Sequence, residues 1–403
     1  MFLGDLASTG FGTVTMDLGR ALLDIGYDLR FVSQNDLGGN LPEPFASRTY
    51  SVLGSDVDPD KEAVFGANSL AMQGIAGLLD GGLWPDGWTA EAAVMLGDYT
   101  AARMMIMADE RTIAAFRAIP SYHYVPIEGV DLPPSWGALW EVVHPVAMSE
   151  FGAVQIQRIT GARPPMIYHG IDADVFRPAT PERVMRLGDR KVRNRATAKR
   201  FFGGDQKSRW VLRCDRNMPR KRYASLLRAM APVMHERPDV FLVIHCRAHD
   251  QGGNLTDLLS KYPPHIRSRM ILTGLPEAYG FVPRELLVAL YNAADVYAST
   301  SAEGFGLTIA EAMACGVPAV GMAYSAVPEV IGPGGLTAPV NHLVDNEYDH
   351  AWAAVDEQAF GAQVARLLDD RELRASMGKA AREHVVSSFS WPNAARQFAE
   401  LIG

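Results

Sequence analysis

The feature of this 403-residue sequence that most constrains its fold is the repeated alternation of short apolar, β-rich runs with amphipathic helical stretches. Because a helix that follows a strand returns the chain to the same sheet edge, this alternation predicts parallel sheets covered by helices. The chain is also too long for one ordinary core, since domains average about 100–200 residues. We therefore expect two successive α/β domains, joined near residue 175.

The first half opens with a strand, a glycine-rich turn and a helix. The predicted strand is Phe2–Leu6, the turn is Thr9-Gly10-Phe11-Gly12, and the helix runs from about Thr13 to Ile25. Residues 36–90 show no regular period and are interpreted as loops with short helices. The other strands predicted in this half are Asp28–Ser33, Ala93–Leu96, Tyr122–Ile127, Val142–Met148 and Met166–Tyr168.

The second half repeats this alternation after residue 205. The polar and very basic stretch before it, Pro178–Gly204, is interpreted as a linker with the edge of the second domain. The predicted strands are Trp210–Cys214, Val240–Cys246, Met270–Leu272, Asp295–Ser299 and Pro318–Gly321. The predicted helices are Tyr223–His235, Pro283–Ala293, Leu307–Ala314, 355–370 and 371–388.

The formal net charge of −8 hides an asymmetry along the chain. Residues 1–150 carry 7 Lys/Arg against 20 Asp/Glu, whereas residues 158–222 carry 18 against 6. The acidic half argues against a broad nucleic-acid or anionic-lipid surface there. The basic stretch is either a solvated linker and helix face, which is the simpler interpretation, or the contact surface for a polyanionic partner.

The sequence shows no recognisable targeting signal, and this observation together with the cysteine usage predicts a cytoplasmic protein. No run approaches the roughly 18 consecutive apolar residues of a membrane-spanning helix, and no basic region followed by an apolar one marks a secretory signal. The three cysteines, Cys214, Cys246 and Cys315, lie far apart in apolar segments. We therefore expect buried, reduced thiols.

The strongest motif spans residues 301–318, SAEGFGLTIAEAMACGVP. It predicts a strand end, a glycine turn and a helix that begins near Gly306 and is closed by Gly316. Small residues at such a turn let a diphosphate approach the backbone N–H groups of the helix N-terminus. Glu303 lies in the loop and Glu311 inside the helix, where carboxylates can bind sugar and ribose hydroxyls. Taken singly, either carboxylate could instead be a capping acid or a solvated helix residue.

A second motif, Arg216-Asn217-Met218-Pro219-Arg220-Lys221-Arg222, follows a predicted strand directly. Loops after strands open on the ligand side of a doubly wound sheet. Two cations there, Arg216 and Lys221, can neutralise a diphosphate leaving group and remove the need for a metal. Arg220 and Arg222 are expected to face solvent. Two D-x-D strings, Asp56-Val57-Asp58 and Asp172-Ala173-Asp174, are interpreted as unrelated to metal binding.

Together these strings resemble the retaining GT-B glycosyltransferases of family 4. The resemblance rests on Glu303 and Glu311, on Arg216 with Lys221, and on weaker matches listed here: Tyr291–Val296, Val327–Ile331, His169–Asp172 and the first glycine-rich turn. It implies two Rossmann-like doubly wound domains that face each other across a cleft. Residues 1–172 would bind the acceptor and residues 173–388 the nucleotide sugar, while residues 389–403, from near Ser390-Trp391-Pro392, would form a helix crossing back onto the first domain.

The resemblance also implies roles for individual residues. Glu303 would contact the donor sugar and Glu311 the ribose, with Arg216 and Lys221 on the diphosphate. The base would stack near Leu275–Phe281. The complete predicted donor site is Gly12, Arg216, Lys221, Leu275, Glu303, Gly304, Phe305, Gly306, Leu307, Thr308 and Glu311.

The sequence departs from the family after the strand Tyr122–Ile127. Many members have a histidine there, whereas this chain has Glu128. Glu128 could bind sugar hydroxyls or act as a base towards the acceptor. Alternatively His123 or His144 supplies the imidazole, although each lies in a strand-like run typical of core. Asp98 is a second candidate for acceptor contact.

The predicted function is metal-independent, retaining transfer of a sugar from a nucleoside-diphosphate donor, UDP-sugar favoured, to a hydroxyl acceptor. Its predicted catalytic residues are Glu303, Glu128, Arg216 and Lys221. Three alternatives stay open: a polyanionic acceptor such as hydroxyl-modified DNA bases, a nucleotide-sugar-binding protein without transfer activity, and an epimerase-like GT-B protein.

Overall fold

The computed structural model describes residues 1–6, 9–33, 41–51, 75–82, 84, 86–274, 282–346 and 350–403. They form two compact units. The first comprises Met1–Ile127, Asp131–Gly170 and Trp391–Gly403, and the second comprises Glu128–Val130 and Ile171–Ser390. The sequence places the changes after residues 172 and 388, and the units change at residues 170 and 390. The assignment of Glu128–Val130 to the second unit has no counterpart in the sequence analysis.

A six-stranded parallel sheet forms the centre of the first unit. Its strands are β1 (Phe2–Gly4), β2 (Phe31–Ser33), β3 (Thr49–Ser51), β4 (Ala93–Leu96), β5 (Ser121–Val125) and β6 (His144–Ala147), in the spatial order β3-β2-β1-β4-β5-β6. The helices are α1 (Gly10–Asp24), α2 (Ile75–Leu79), α3 (Tyr99–Ile106), α4 (Glu110–Arg117), α5 (Gly137–Trp140) and α6 (Glu150–Thr160). This order is that of a Rossmann-like doubly wound sheet.

The second unit repeats the topology. Its sheet has the parallel order β13-β10-β9-β14-β15-β16, from strands β9 (Arg209–Cys214), β10 (Val240–His245), β13 (Met270–Leu272), β14 (Val296–Ser299), β15 (Ala319–Met322) and β16 (Gly335–Ala338). Three antiparallel hairpins accompany it: β7 (Met185–Leu187) with β8 (Arg190–Val192), β11 (His249–Asp250) with β12 (Gly253–Asn254), and β17 (Val340–Asp345) with β18 (Ala351–Val355).

The helices of the second unit follow the strands as the alternating pattern predicts. They are α7 (Arg195–Phe201), α8 (Tyr223–Glu236), α9 (Leu255–Ser260), α10 (Pro264–Arg267), α11 (Arg284–Ala293), α12 (Leu307–Ala314), α13 (Val327–Ile331), α14 (Glu357–Asp369) and α15 (Arg371–Ser388). Apolar residues of α8 and α14 pack with those of β10 and β14 in one continuous core. The two Rossmann-like domains predicted from the sequence are confirmed.

The last helix, α16 (Trp391–Ile402), packs on the first unit, although it follows the second unit in sequence. Phe398 lies against Tyr124, with ring centroids 5.0 Å apart, and the Tyr122 hydroxyl donates to the Leu401 carbonyl. Gly170 is required at this junction, because a Cβ there would lie 2.1 Å from the Trp391 backbone nitrogen. The predicted return of the C-terminal helix is confirmed.

Several local predictions are wrong. The glycines of the first turn belong to α1 itself, which begins at Gly10 with Thr9 as its N-cap. Met166–Tyr168 forms a single β-bridge between Met166 and Ala147 instead of a strand.

The basic stretch 178–204 is also more ordered than a linker. It contains β7, β8 and α7. Lys199 of α7 is buried and donates to Asp295 Oδ2 at 2.6 Å, just before β14. This buried ion pair attaches α7 to the sheet.

None of the helices in the described part of the chain has both the length and the apolar composition that crossing a bilayer requires. The three cysteines are free thiols; Cys214 and Cys315 are buried and Cys246 is half-buried.

Candidate functional site

The candidate site lies where the strand order of the second sheet reverses. Strands β9 and β14 are neighbours, and from them the chain winds outwards in opposite directions. In open α/β sheets, ligands bind outside the carboxyl ends of the two strands that flank this switch point. The loop after β9 carries residues 215–222, and the loop after β14 carries residues 300–306. Both sequence motifs therefore meet at one place.

The loop after β9 turns two cations towards the sheet. Pro219–Lys221 forms a single 3-10 turn that ends at Arg222, whose φ of 51° is left-handed. Buried Asn217 braces this loop by donating to the Gly253 carbonyl at 2.8 Å and to the Ala248 carbonyl at 3.3 Å. Lys221 is buried as a result.

Glu303 is the residue on which these cations converge. Lys221 Nζ lies 2.6 Å from Glu303 Oε1 and 2.9 Å from Oε2, and Arg220 Nη1 lies 3.0 Å from Oε2. Ser301 Oγ donates a further hydrogen bond to Oε1, while the Glu303 backbone N–H donates to Ser325 Oγ at 2.9 Å. This carboxylate is thus fixed on both its side chain and its backbone.

The charges around Glu303 control its protonation. Burial alone would raise the pKa of this carboxyl, but the positive charges of Lys221, Arg220 and Arg213 outweigh burial and hold the pKa well below its usual range. Glu303 is consequently ionised at neutral pH.

A buried ion pair lies next to Lys221. Arg213, in the middle of β9, is fully buried, and its Nη2 lies 2.8 Å from Asp215 Oδ2. Asp215 Oδ1 lies 2.7 Å from Lys221 Nζ. Burial works against the charge of Arg213, but Asp215 and other neighbouring groups raise its pKa above its ordinary value.

Helix α12 begins beside this cluster. Gly306 precedes it with φ 110°, a left-handed conformation that favours glycine. The amides of Ile309 and Ala310 both bond to the Gly306 carbonyl, so the amides of Leu307 and Thr308 come before the first bonded positions of the helix. Further along, buried Glu311 accepts a hydrogen bond of 2.7 Å from the Tyr291 hydroxyl.

Glu128 belongs to the second unit and lies close to Arg220. Its Oε1 lies 3.6 Å from Arg220 Nε. Two residues later, Val130 forms an isolated antiparallel bridge with Ala351, with bonds of 3.0 and 2.9 Å. The Tyr324 hydroxyl donates to the Ala351 carbonyl at 2.8 Å and accepts from the Val130 amide at 3.1 Å. Glu128 thereby belongs to the cluster of Arg220 and Glu303.

Comparison with known proteins shows which proteins this chain resembles. Residues 194–384 match the family model of glycosyl transferases group 1. The D-inositol 3-phosphate glycosyltransferase of Salinispora arenicola is 31% identical over 246 residues, 58% of this chain and 48% of that protein. A GDP-mannose-dependent monoacylated alpha-(1-6)-phosphatidylinositol monomannoside mannosyltransferase of Corynebacterium glutamicum is 30% identical over 231 residues, 55% of this chain and 51% of that protein. The chain spans about half the length of these curated relatives.

Solved structures support the GT-B fold along the whole chain. Sucrose-phosphate synthase from Thermosynechococcus elongatus superposes with a TM-score of 0.71 at 18% identity, covering 99% of this chain and 97% of that one. Anabaena HepE, solved with UDP and glucose, gives a TM-score of 0.70 at 15% identity over 99% and 97% of the two chains.

Within the segment that matches this family model, the structure brings Lys221 and Glu303 together and places Arg216 differently. Arg216 forms a two-point ion pair with Asp250, at 2.8 and 3.2 Å, and its side chain is 55% exposed. Arg220, which we expected to face solvent, points at Glu303 instead. The expectation for Arg220 is wrong because its guanidinium, like the Lys221 ammonium, pairs with the buried carboxylate of Glu303.

The other predicted donor residues divide by location. Gly304, Phe305 and Gly306 are buried in the turn before α12, where the Phe305 ring meets Phe389 edge-on at 5.0 Å. Thr308 Oγ1 accepts from the Tyr297 hydroxyl at 2.8 Å. Leu275, and with it the segment predicted to stack on the base, lies outside the described residues.

The candidates in the first unit have structural partners. The Gly12 amide donates to the Thr9 hydroxyl at 3.0 Å, and Asp98 Oδ1 accepts from the Ala101 amide at 2.9 Å. These contacts cap the helices that follow β1 and β4, the two strands at the switch point of the first sheet.

The two histidines considered in place of Glu128 differ from each other. His123 is buried between the Gly97 carbonyl, 3.1 Å away, and Trp140 Nε1, 3.2 Å away. Burial lowers its pKa to about 4. His144 is exposed at the start of β6, contrary to the expectation of a core residue.

The D-x-D strings also separate. Asp172 Oδ1 accepts from the amides of Asp174 and Val175, at 3.1 and 3.0 Å, as a turn-forming aspartate does. Asp56-Val57-Asp58 lies outside the described residues.

The sequence analysis missed four residues of the cluster: Arg213, Asp215, Ser301 and Tyr291. A signal existed for Arg213, because an arginine inside an apolar strand needs a buried counter-charge, and Asp215 follows two positions later. Ser301 and Tyr291 lie in strings that the sequence analysis singled out, 301–318 and Tyr291–Val296, but it gave neither residue a role.

Proposed function

We propose that this protein is a retaining, metal-independent glycosyltransferase that uses a nucleoside-diphosphate sugar. The observation that carries the proposal is the convergence of Lys221 and Arg220 on Glu303 at the switch point, next to the N-terminus of α12. A buried ammonium group and a helix N-terminus are the groups that bind a diphosphate in proteins.

In this proposal each part of the donor has a partner. The diphosphate binds Lys221 and the first amides of α12. Ionised Glu303 accepts hydrogen bonds from sugar hydroxyls, and Glu311, oriented by Tyr291, accepts them from the ribose. Because Asp215 and Glu303 already contact the Lys221 ammonium, a phosphate oxygen binds the N–H group that these two carboxylates leave.

The chemistry requires stabilisation of a departing diphosphate. The bond from the anomeric carbon to the phosphate oxygen breaks, and a bond to the acceptor oxygen forms on the same face. The acceptor proton passes to the departing phosphate or to Glu128. Lys221 and the α12 dipole stabilise the negative charge that develops on the diphosphate, the task that a divalent cation performs in other transferases.

The experiment uses water as the acceptor. Incubation with α-linked UDP-, GDP- and ADP-sugars in EDTA, followed by early-time proton NMR, should show one nucleotide released and the α-anomer of the sugar appearing first. Release of the β-anomer first, or a strict need for added metal, contradicts the retaining or the metal-independent assignment. No release above the enzyme-free rate would favour a nucleotide-sugar-binding protein, and a changed sugar configuration an epimerase-like one.

A polyanionic acceptor is the second candidate, favoured by exposed cations on β7, on β8, on α7 and between β8 and α7. This basic surface comprises Arg186, Arg190, Lys191, Arg193 and Arg200. If it holds the acceptor, duplex DNA or an anionic glycan should bind in 50 mM salt and lose affinity steeply by 200 mM, because phosphate contacts release counterions. Unchanged binding by Arg190→Glu/Lys191→Glu would exclude this surface.

A cytoplasmic location stays a prediction of the free cysteines.

A further inference from the structure

Arg213 has no role in the function proposed above, yet the Arg213–Asp215 pair contacts Lys221 directly and reaches Glu303 through Ser301. From Asp215, Oδ1 reaches Lys221 Nζ at 2.7 Å. From Arg213, Nη2 reaches Ser301 Oγ at 2.9 Å, and Ser301 in turn donates to Glu303. The Arg213 guanidinium is therefore linked to Lys221 through Asp215, and it is linked to Glu303 through the Ser301 hydroxyl.

Burying the Arg213–Asp215 pair costs desolvation free energy. Arg213 lies in a strand whose other inner residues, Trp210, Val211, Leu212 and Cys214, are all buried. Its Nε is buried without a hydrogen-bond partner in the described structure. Well-packed apolar residues usually stabilise a fold as well as a buried ion pair does. Stability alone therefore does not explain an arginine at this position.

The Arg213–Asp215 pair orients the Lys221 ammonium group. A lysine ammonium has three N–H groups and rotates freely about its last bond, so a single carboxylate does not fix its direction. Asp215 and Glu303 approach the Lys221 ammonium at 2.7 and 2.6 Å. With two N–H groups given to these carboxylates, the third is the one left for a phosphate oxygen.

We propose that Arg213, acting through Asp215 and Ser301, is the positioning residue that sets Lys221 and Glu303 for the nucleotide-sugar donor. The inference rests on the proposed function. It adds a residue that touches no substrate and whose loss changes donor affinity and its pH dependence.

The pH dependence follows from charge. The positive charge of Arg213 is one of the influences that hold the pKa of Glu303 below its usual range. Its removal raises that pKa, so Glu303 becomes protonated at a higher pH and donor affinity is lost earlier on acidification. A residue with a purely structural role would lower stability without moving this acid limb.

The test is calorimetric titration of the full chain with UDP-, GDP- and ADP-sugars from pH 8 down to the lowest pH at which each protein stays folded. The variants are Arg213→Met and Arg213→Met/Asp215→Asn, the second of which leaves no unpaired buried charge should the first fold poorly. Arg209→Met is the matched control, since Arg209 lies on the same strand and pairs with Asp239 at 2.6 Å and with Asp369 at 3.1 Å, outside the site.

We expect both Arg213 variants to bind the donor at least tenfold more weakly and to lose it at a higher pH than the wild type. Arg209→Met should keep the wild-type affinity and acid limb even if its melting temperature falls. Wild-type affinity and acid limb in a folded Arg213 variant, or equal losses in Arg209→Met, would overturn the inference alone. A wild-type protein that binds none of the donors would overturn the proposed function, and this inference with it.

Discussion

At the scale of single residues, the account depends on the ionised carboxylate of Glu303. Its oxygens accept from Lys221, Arg220 and Ser301, and the backbone bond to Ser325 fixes the loop that carries it. A carboxylate held by several donors is costly to assemble but cannot drift, which is what recognition of a sugar hydroxyl requires. The negative charge of Glu303 also opposes binding of a diphosphate beside it at Lys221. Glu303 should therefore affect affinity for the nucleotide and affinity for the sugar in opposite directions.

Glu303→Gln should separate these two functions. The amide keeps the size of the side chain but removes its charge. Repulsion of a diphosphate at Lys221 is then lost, and the donor sugar meets a neutral and therefore weaker hydrogen-bond acceptor. We expect the free nucleoside diphosphate to bind as well as or better than in the wild type, while sugar release falls by about 10²–10³. Calorimetry and NMR measure the two quantities, and a parallel loss of both would show that Glu303 does not contact the sugar.

The same scale shows what the sequence could and could not predict about the site. The pattern around Glu303 and Lys221 identified the two loops that the structure brings together, because glycines, prolines and charges mark a strand-to-helix turn. It did not identify which cation points inward. The left-handed Arg222 and the 3-10 turn before it set the direction of Arg220, and the hairpin partner Asp250 takes up Arg216. Both depend on contacts distant in sequence.

At the scale of secondary-structure elements, the position of α12 is set by its two glycine ends. Gly306 before it and Gly316 after it both have positive φ, 110° and 75°. A side chain at either position costs about 1–2 kcal/mol of backbone strain. A Cβ at Gly306 would lie 3.6 Å from the Glu303 side chain, whereas one at Gly316 would lie 3.3 Å from Pro178.

Gly306→Ala and Gly316→Ala form a matched pair for that element. Both should lower the melting temperature by similar amounts because both force a left-handed alanine. Only Gly306→Ala should also weaken donor binding, since it shifts the amides that begin the helix. Donor affinity that falls equally in both variants would mean that general loss of order in α12, and not its N-terminus, controls binding.

Substitutions in helix α7 can show which cations of the basic stretch contribute to the stability of the fold. Lys199 is buried against Asp295, while Arg200 beside it is exposed. Lys199→Met leaves a buried carboxylate short of a partner and should cost about 3 kcal/mol of unfolding free energy. Arg200→Met should change it by less than about 0.5 kcal/mol. Denaturant titration compares the two, and equal effects would contradict the anchoring role of Lys199.

The elements themselves were predictable to the extent that periodicity defines them. Strands such as Ala93–Leu96 and Met270–Leu272 and the helix Leu307–Ala314 match the structure residue for residue. The hairpin β17–β18 was missed because its outer strand, Val340–Asp345, is mostly exposed and lacks an apolar face. Strand β3 was missed because three residues show no period.

At the scale of the whole molecule, the two units differ in the charges that they bury. The second contains the Arg213, Lys221 and Glu303 network, whereas the first buries neutral histidines. Burial lowers the pKa of His123 to about 4 and that of His169 to about 3. Unfolding restores a pKa near 6.5, so the unfolded chain binds protons that the folded chain rejects.

The first unit should therefore lose stability as pH falls below about 6.5. His123 alone contributes about 1.4 kcal/mol per pH unit until the pH nears its folded pKa. His123→Asn should flatten the dependence of the melting temperature on pH between 6.5 and 4.5. His144→Asn, an exposed histidine on the neighbouring strand, should leave the slope unchanged. An unchanged slope in His123→Asn would contradict the neutral, buried state.

In the proposed function, Lys221 at the switch point of the second sheet holds the diphosphate of a nucleotide sugar without a metal. Calorimetric titration of wild type and Lys221→Ala with UDP-, GDP- and ADP-sugars in EDTA tests it most directly. We predict that the wild type binds one donor and that Lys221→Ala, still folded by its melting curve, binds it at least about 100-fold more weakly, since removal of a desolvated charge partner costs about 3 kcal/mol. Equal affinity in the two proteins, or no binding by the wild type, would contradict the account.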